Sequence, residues 1–147
     1  MLFRRSIKGS PSLMDYLADA EMGNGDAQLM VGDCYEYGLG TSIDLDSAKK
    51  WYALAAEQGN EIAQYKLGSL MEFGKNPNTK QAAYWYKEAA ERGHGYAQYK
   101  LGLCYETGSG VEQDISQAAY WYSRAKGKGV REARKHLKAI QMKIKKP

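Results

Sequence analysis

Few side chains in this sequence are equipped for chemistry. There are two histidines, His94 and His136, and two cysteines, Cys34 and Cys104. A catalytic site needs complementary groups brought together, such as a nucleophile beside a base or a set of metal ligands. His94 stands where Asn24 and Asn60 stand in equivalent segments, a position that suits capping a helix start. His136 lies among the Lys and Arg of the last segment and reads as a solvated side chain. No C-x-x-C or H-x-x-x-H spacing offers a metal-ligand pair. Gly108-Ser109-Gly110 could suggest a phosphate loop, but Gly38-Leu39-Gly40 matches it in register and marks both as turns. The chain is therefore expected to be no enzyme and to need no cofactor or metal.

What positions these residues is a repeat. Trp51-Tyr52, Trp85-Tyr86 and Trp121-Tyr122 are spaced by 34 and 36 residues. Ala63-Gln64-Tyr65-Lys66-Leu67-Gly68 returns 34 residues later as Ala97-Gln98-Tyr99-Lys100-Leu101-Gly102, and a looser copy runs from Ala27 to Gly32. Three Trp-Tyr pairs could form a stacking platform for nucleic-acid bases. Recurring beside Ala on one helical face, they read instead as core, with the Tyr hydroxyls reaching the edge between repeats. The unusual composition, 16 Gly and 12 Tyr against 3 Pro, follows from the same repeat. Twelve of the glycines fall at register positions, which leaves no reason to prefer a turn-rich β protein.

Each repeat reads as two helices. In the first, Ala97, Leu101, Cys104 and Tyr105 share one face. The second starts at Asp44, Asn78 or Asp114, each a good N-cap, and stops at Gly59, Gly93 or Gly129. Gly38, Gly74 and Gly108 end the first helix, and the loop after Gly74 is two residues shorter than its equivalents. Gly32, Gly68 and Gly102 sit inside the first helix, where Gly costs about 1 kcal/mol relative to Ala. A cost repeated three times predicts close approach of the second helix at that point. Residues 10–23 align with a second helix alone, with Ser10 as N-cap and Pro11 at its first position. Residues 130–147 align with a first helix alone, burying Ala133, Leu137, Ile140 and Ile144 and ending in a basic tail. Between them lie repeats at 24–59, 60–93 and 94–129, making a single domain over residues 1–147 with about eight helices.

These residues resemble the Sel1-like repeat family, relatives of the tetratricopeptide repeat. The pattern A-x-x-x-L-G-x-x-Y-x-x-G-x-G-V-x-x-D-x-x-x-A-x-x-W-Y-x-x-A-A-x-x-G is matched almost fully from Ala97 to Gly129. Residues 27–59 depart at Val31 and Ile43, and residues 63–93 at Met71 and the shortened loop. The resemblance implies an all-α fold, a right-handed α-solenoid of helix-turn-helix repeats, serving as an interaction scaffold. Short Sel1-like chains also resemble bacterial immunity proteins, which neutralise a cognate toxin by direct binding. That is the alternative to an adaptor.

Cys34 and Cys104 are equivalent positions two repeats apart. With neighbouring helices about 8–10 Å apart, they fall roughly 20 Å from each other, too far for a disulfide, which needs Cα atoms within about 7 Å. Leu70 in the middle repeat argues that both are buried and apolar. With no apolar stretch after Arg4 and Arg5, a secretory signal is not expected, and the cytoplasm is the default.

Net charge is +4, unevenly spread: residues 9–122 hold 8 basic and 16 acidic side chains, whereas residues 123–147 hold 10 basic and 1 acidic. The basic end reads as the solvated face of a terminal helix, so nucleic acid is not an expected partner, and no apolar run suits a membrane span. Function then falls to an extended surface. A wheel of about 100° per residue places one side of each first helix away from its core. That side holds Asp26, Leu29, Asp33, Glu36 and Tyr37, then Ile62, Tyr65, Ser69, Glu72 and Phe73, then Tyr96, Tyr99, Leu103, Glu106 and Thr107. By resemblance to tetratricopeptide proteins it lines a concave groove. Its rings and its row of acids at Glu36, Glu72 and Glu106 suit a protein or peptide partner with basic and apolar side chains.

Overall fold

A computed structural model describes residues 12–145. Eight helices make up their regular structure: α1 (Leu13–Glu21), α2 (Gly25–Tyr37), α3 (Leu45–Glu57), α4 (Glu61–Phe73), α5 (Thr79–Glu91), α6 (Gly95–Thr107), α7 (Ile115–Gly127) and α8 (Arg131–Ile144). No strand occurs among the described residues. The residues expected to cap the helices do so. The Oδ1 of Asn24 and of Asn60 and the Nδ1 of His94 accept the N–H three residues on, at 2.9, 2.9 and 3.1 Å. Asp44, Asn78 and Asp114 do the same for α3, α5 and α7. Ser10 and Pro11 lie outside the described residues. The cap of α1 is Ser12, whose N–H donates to Asp15.

Short polar connections hold each pair together. Gly38 and Gly108 end α2 and α6 in the left-handed region, their N–H groups donating to Cys34 and Cys104 carbonyls, a geometry that favours glycine. Gly74 is not in that conformation. The reason is loop length. In the outer repeats the N–H of Asp44 or Asp114 closes onto the carbonyl nine residues back, Tyr35 or Tyr105, whereas Asn78 closes onto Met71 across seven. The shorter arc leaves no room for the left-handed turn.

The chain divides into two compact units, with the division between Leu67 and Gly68 inside α4. In the first, α1 packs on α2 and α2 on α3. Its core includes Leu13, Ala20, Ala27, Val31 and Cys34, edged by Tyr16, Leu17, Tyr35, Leu39 and Trp51. In the second, α6 packs on α5 and on α7, α7 on α8, and α6 touches α8. Its core includes Tyr122, Ala125, Val130, Ala133, Leu137 and Ile140, with Tyr99, Leu103 and Tyr105 against them. Ile144, expected in this stripe, is instead exposed, at the last residue of α8.

The predicted close approach is present at all three helix glycines. A Cβ on Gly102 would stand 2.6 Å from two ring carbons of Tyr122, one on Gly68 would stand 2.9 Å from Tyr86, and one on Gly32 would overlap the Tyr52 ring. Each tyrosine is fully buried, so the missing methyl is the space its ring occupies. Trp121 is buried with its Tyr, while Trp51 and Trp85 are half-buried.

Candidate functional site

The helix wheel sorts the first-helix residues by their own helix alone, and other helices change what those faces present. In the first unit, Asp33 and Glu36 of α2 are half-buried rather than displayed. Both carboxylates converge on the hydroxyl of Tyr52, which lies 2.6 Å from Asp33 and forms a second short contact with Glu36. Lys66 of α4 reaches back to Asp33 at 2.9 Å, donates to the Tyr37 hydroxyl at 3.3 Å and stands 5.0 Å from the centre of the Tyr37 ring. Burial alone would lower the Lys66 pKa. The hydrogen bond and charge of Asp33 outweigh it, and the ammonium is held above its ordinary range. The Tyr52 hydroxyl is driven far up, by burial first and then by the two carboxylates, so it stays a donor. Leu29 is buried and is not a surface residue. Tyr65 is half-buried, and Tyr37 and Ile62 stand exposed.

The second unit repeats this arrangement twice with a single carboxylate, because Ser69 and Leu103 stand where Asp33 does, and with one exchange of the cation. The Tyr86 hydroxyl donates to Glu72 of α4, and Lys100 of α6 meets the same carboxylate at 3.2 Å while lying 4.7 Å from the centre of the Phe73 ring. The Tyr122 hydroxyl donates to Glu106 at 2.8 Å. Here the reaching cation is replaced by His136 of α8, whose Nδ1 lies 3.0 Å from Glu106. Lys66, Lys100 and His136 are equivalent positions in the repeat. The imidazole sits 5.1 Å from the Tyr122 ring centre and 5.7 Å from that of Tyr99, so His136 is a built-in partner and not the solvated side chain expected. Burial and then Glu106 raise the Tyr122 hydroxyl, and burial with Glu132 and Glu106 raises that of Tyr99.

The row of acids is thus tied up within the protein. Glu72 and Glu106 each hold a tyrosine hydroxyl and a cation or imidazole, and Asp33 and Glu36 share one hydroxyl, with Lys66 on Asp33. Tyr99 and Leu103 pack against the core that α8 completes. Ser69 is half-buried, whereas Phe73, Tyr96 and Thr107 are exposed. The hydroxyls of the Trp-Tyr pairs do end at the edge between repeats, because the carboxylates they meet are those that receive Lys66, Lys100 or His136 from the next first helix.

One set of residues escaped sequence reasoning. Gln28, Gln64 and Gln98 are buried, and the side-chain N–H of each donates to the carbonyl of Ala20, Ala56 or Ala90, at 3.2, 3.1 and 3.1 Å. Each stitches the start of a first helix to the end of the helix before it. The signal was present in the thrice-repeated Ala-Gln pair, but a polar residue next to a core Ala reads as surface until its partner is known. The amide oxygen of Gln28 accepts from Gln58 at 2.8 Å, whereas those of Gln64 and Gln98 are buried without a partner.

Both cysteines are free and buried. Burial raises both thiols, Cys34 with help from Asp33, and Cys104 to about 11 with help from Glu72. Among the described residues no cluster of His, Cys, Asp and Glu could hold a metal ion, and no helix is long and apolar enough to cross a membrane.

A family model described as "Sel1 repeat" matches residues 25–60, 62–94 and 95–130. Among solved structures, the chain is similar to a Sel1 repeat protein from Oxalobacter formigenes, at 36% identity and a TM-score of 0.77, covering 86% of this chain and 97% of that one. It is also similar to c5321, a protective antigen present in uropathogenic Escherichia coli strains displaying an SLR fold. The identity is 33% and the TM-score 0.82, over 89% of this chain and 29% of that one. Among curated proteins it is similar to the ERAD-associated E3 ubiquitin-protein ligase component HRD3B of Arabidopsis thaliana, at 41% identity over 56 residues, which are 38% of this chain and 9% of that protein. The chain spans less than a tenth of the length of the curated relatives it matches.

Proposed function

Because this chain belongs to the Sel1 repeat family, we propose that it is a non-enzymatic scaffold or adaptor that binds a partner protein or peptide through the exposed faces of its first helices. The observation that carries this is the apolar surface left in water there. Tyr37 and Ile62 are 55% and 43% exposed in the first unit, and Phe73 and Tyr96 are 69% and 51% exposed in the second. Aromatic rings are enriched among the residues that dominate protein interfaces.

The internal pairing of Asp33, Glu36, Glu72 and Glu106 changes what a partner meets. Recognition rests on rings, of which Tyr37 and Phe73 each carry a lysine over one face, and less on free carboxylates than the sequence suggested. A reducing compartment such as the cytoplasm suits the two free thiols.

The test is capture and identification of the partner by cross-linking, followed by titration of the purified pair. Phe73→Ala and Tyr96→Ala together are expected to weaken binding by more than ten-fold without changing helicity or melting. Undiminished affinity refutes this placement of the surface. An adaptor binds several partners near micromolar Kd, about −8 kcal/mol. An immunity protein instead binds one toxin near nanomolar Kd or tighter, about −12 kcal/mol, and restores growth when that toxin is expressed.

A further inference from the structure

The outer face of α8 carries a feature that neither packing nor capping explains. Arg131, Arg134, Lys135, Lys138 and Lys145 are all exposed. At 3.6 residues per turn they lie within about 60° of a common line along the helix. The buried Ala133, Leu137 and Ile140 lie on the opposite side. The cations therefore form one stripe, about 21 Å long at 1.5 Å per residue.

Three observations set this stripe apart from ordinary surface charge. First, it is unneutralised: among the described residues no carboxylate lies within ion-pair distance of any of the five, and Glu132 is the helix's one acid. Other described cations such as Lys80 and Lys87 also lack an acidic partner, so what distinguishes the stripe is five such cations on one face of a single helix. Second, Arg131 with Lys135 and Arg134 with Lys138 are like charges four residues apart, an arrangement that destabilises a helix. Third, Arg131, Arg134 and Lys135 occupy the first turns of α8, where the helix dipole disfavours cations; only Lys143 and Lys145 sit at the favourable end. Local rules broken without local compensation mark sites kept for another purpose.

We infer that this stripe is a docking surface for an acidic segment of a partner protein, a run of Asp and Glu that lies along α8. Charge complementarity selects the sign, and the size of the stripe selects the class. An acidic segment of about eight extended residues spans the 21 Å stripe, whereas a nucleic-acid duplex or an anionic membrane extends well past it. No aromatic residue occurs in α8 to stack a single-stranded base. A short acidic peptide fits the stripe and avoids both problems. The inference is independent of the aromatic surface, which lies on other helices.

The experiment is fluorescence anisotropy of the full chain with a labelled peptide of eight Glu flanked by Gly and Ser, at 50 and 150 mM NaCl. The peptide is expected to bind saturably and to weaken as salt rises. Arg134→Glu/Lys135→Glu/Lys138→Glu is expected to weaken it at least ten-fold, while Lys80→Glu/Lys87→Glu on α5 leaves it within two-fold. The three stripe residues changed to Gln, with the melting curve recorded, serve the same purpose if the charge-reversed chain does not fold. Absent saturation, or equal loss in the α5 variant, overturns the proposal. So does tighter binding of a single-stranded 20-mer or of phosphatidylserine vesicles. Salt-sensitive self-association that the stripe variant abolishes overturns it too, since it makes a second copy the occupant.

Discussion

The buried contact of Gly102 with Tyr122 allows a prediction whose sign is set by structure against propensity. In an exposed helix Gly→Ala stabilises by about 1 kcal/mol. At Gly102 the added Cβ would lie 2.6 Å from two ring carbons and 3.2 Å from a third. Carbon atoms rest at about 3.5–4.0 Å, so the ring must withdraw by about 1 Å. It has nowhere to go. Tyr122 is fully buried, its hydroxyl is held by Glu106 at 2.8 Å, and His136 and Tyr99 lie beside its ring. Overpacking costs about 1–3 kcal/mol, and a ring with no room to withdraw puts this site at about 2–3 kcal/mol, which exceeds the propensity gain. Gly102→Ala is therefore expected to destabilise by about 1–2 kcal/mol, lowering Tm by about 3–8 °C for a chain of this size. Urea denaturation followed by circular dichroism measures it. Gly127→Ala is the matched control: that residue is also helical, but nothing lies within 4 Å of its added Cβ, so a gain of about 0.5–1 kcal/mol is expected. In a Tyr122→Leu background the cost of Gly102→Ala must shrink, with a coupling of about 1 kcal/mol. A Gly102→Ala chain as stable as the parent refutes the close-packing argument.

Other consequences follow from the same contacts. Tyr122→Phe removes the hydroxyl that Glu106 accepts from, and a loss of about 1–2 kcal/mol is expected because the acceptor is charged yet keeps His136; denaturation showing no loss removes the hydroxyl from the stability argument. Gln28→Met breaks two hydrogen bonds, a buried one to Ala20 and a partly buried one from Gln58, whereas Gln98→Met breaks one and eliminates an unpartnered oxygen. The first is expected to cost at least 1 kcal/mol more than the second, and equal melting shifts contradict this. The Cys104 thiol, raised from its ordinary 9.0 to about 11, stays protonated at pH 8. Iodoacetamide should label it far more slowly in the folded chain than in urea, and comparable rates would show that it is accessible. Because the folded pKa is the higher one, this thiol's contribution is complete below pH 9 and declines as pH rises from 9 towards 11, where only the unfolded chain gains thiolate. A stability curve flat across that interval argues against its burial.

Much of the fold was legible because each signal was local and occurred three times. The N-caps at Asn24, Asn60, Asp44, Asn78 and Asp114 act within four residues, so neither packing nor partner choice can displace them. His94 could be placed beside them by register alone. Gly32, Gly68 and Gly102 reported a long-range contact because an unfavourable residue, repeated, implies an external cause. The candidate surface was less legible. The wheel placed Glu36, Glu72, Glu106, Leu29 and Tyr99 outward from their own helices, and it holds no information about the neighbour that covers them.

The sequence by itself therefore determined the repeat, the N-caps from Asn24 to Asp114 and the tyrosine core. Periodicity and capping are properties of consecutive residues, and they survive without knowledge of the rest of the chain. Only the tertiary structure decided which outward residues remain outward. It assigned Tyr52, Tyr86 and Tyr122 to the carboxylates, brought Lys66, Lys100 and His136 across to meet them, and buried the glutamines. These are contacts between residues mostly 8 to 30 positions apart, and such pairs become neighbours only when helices have chosen their packing partners.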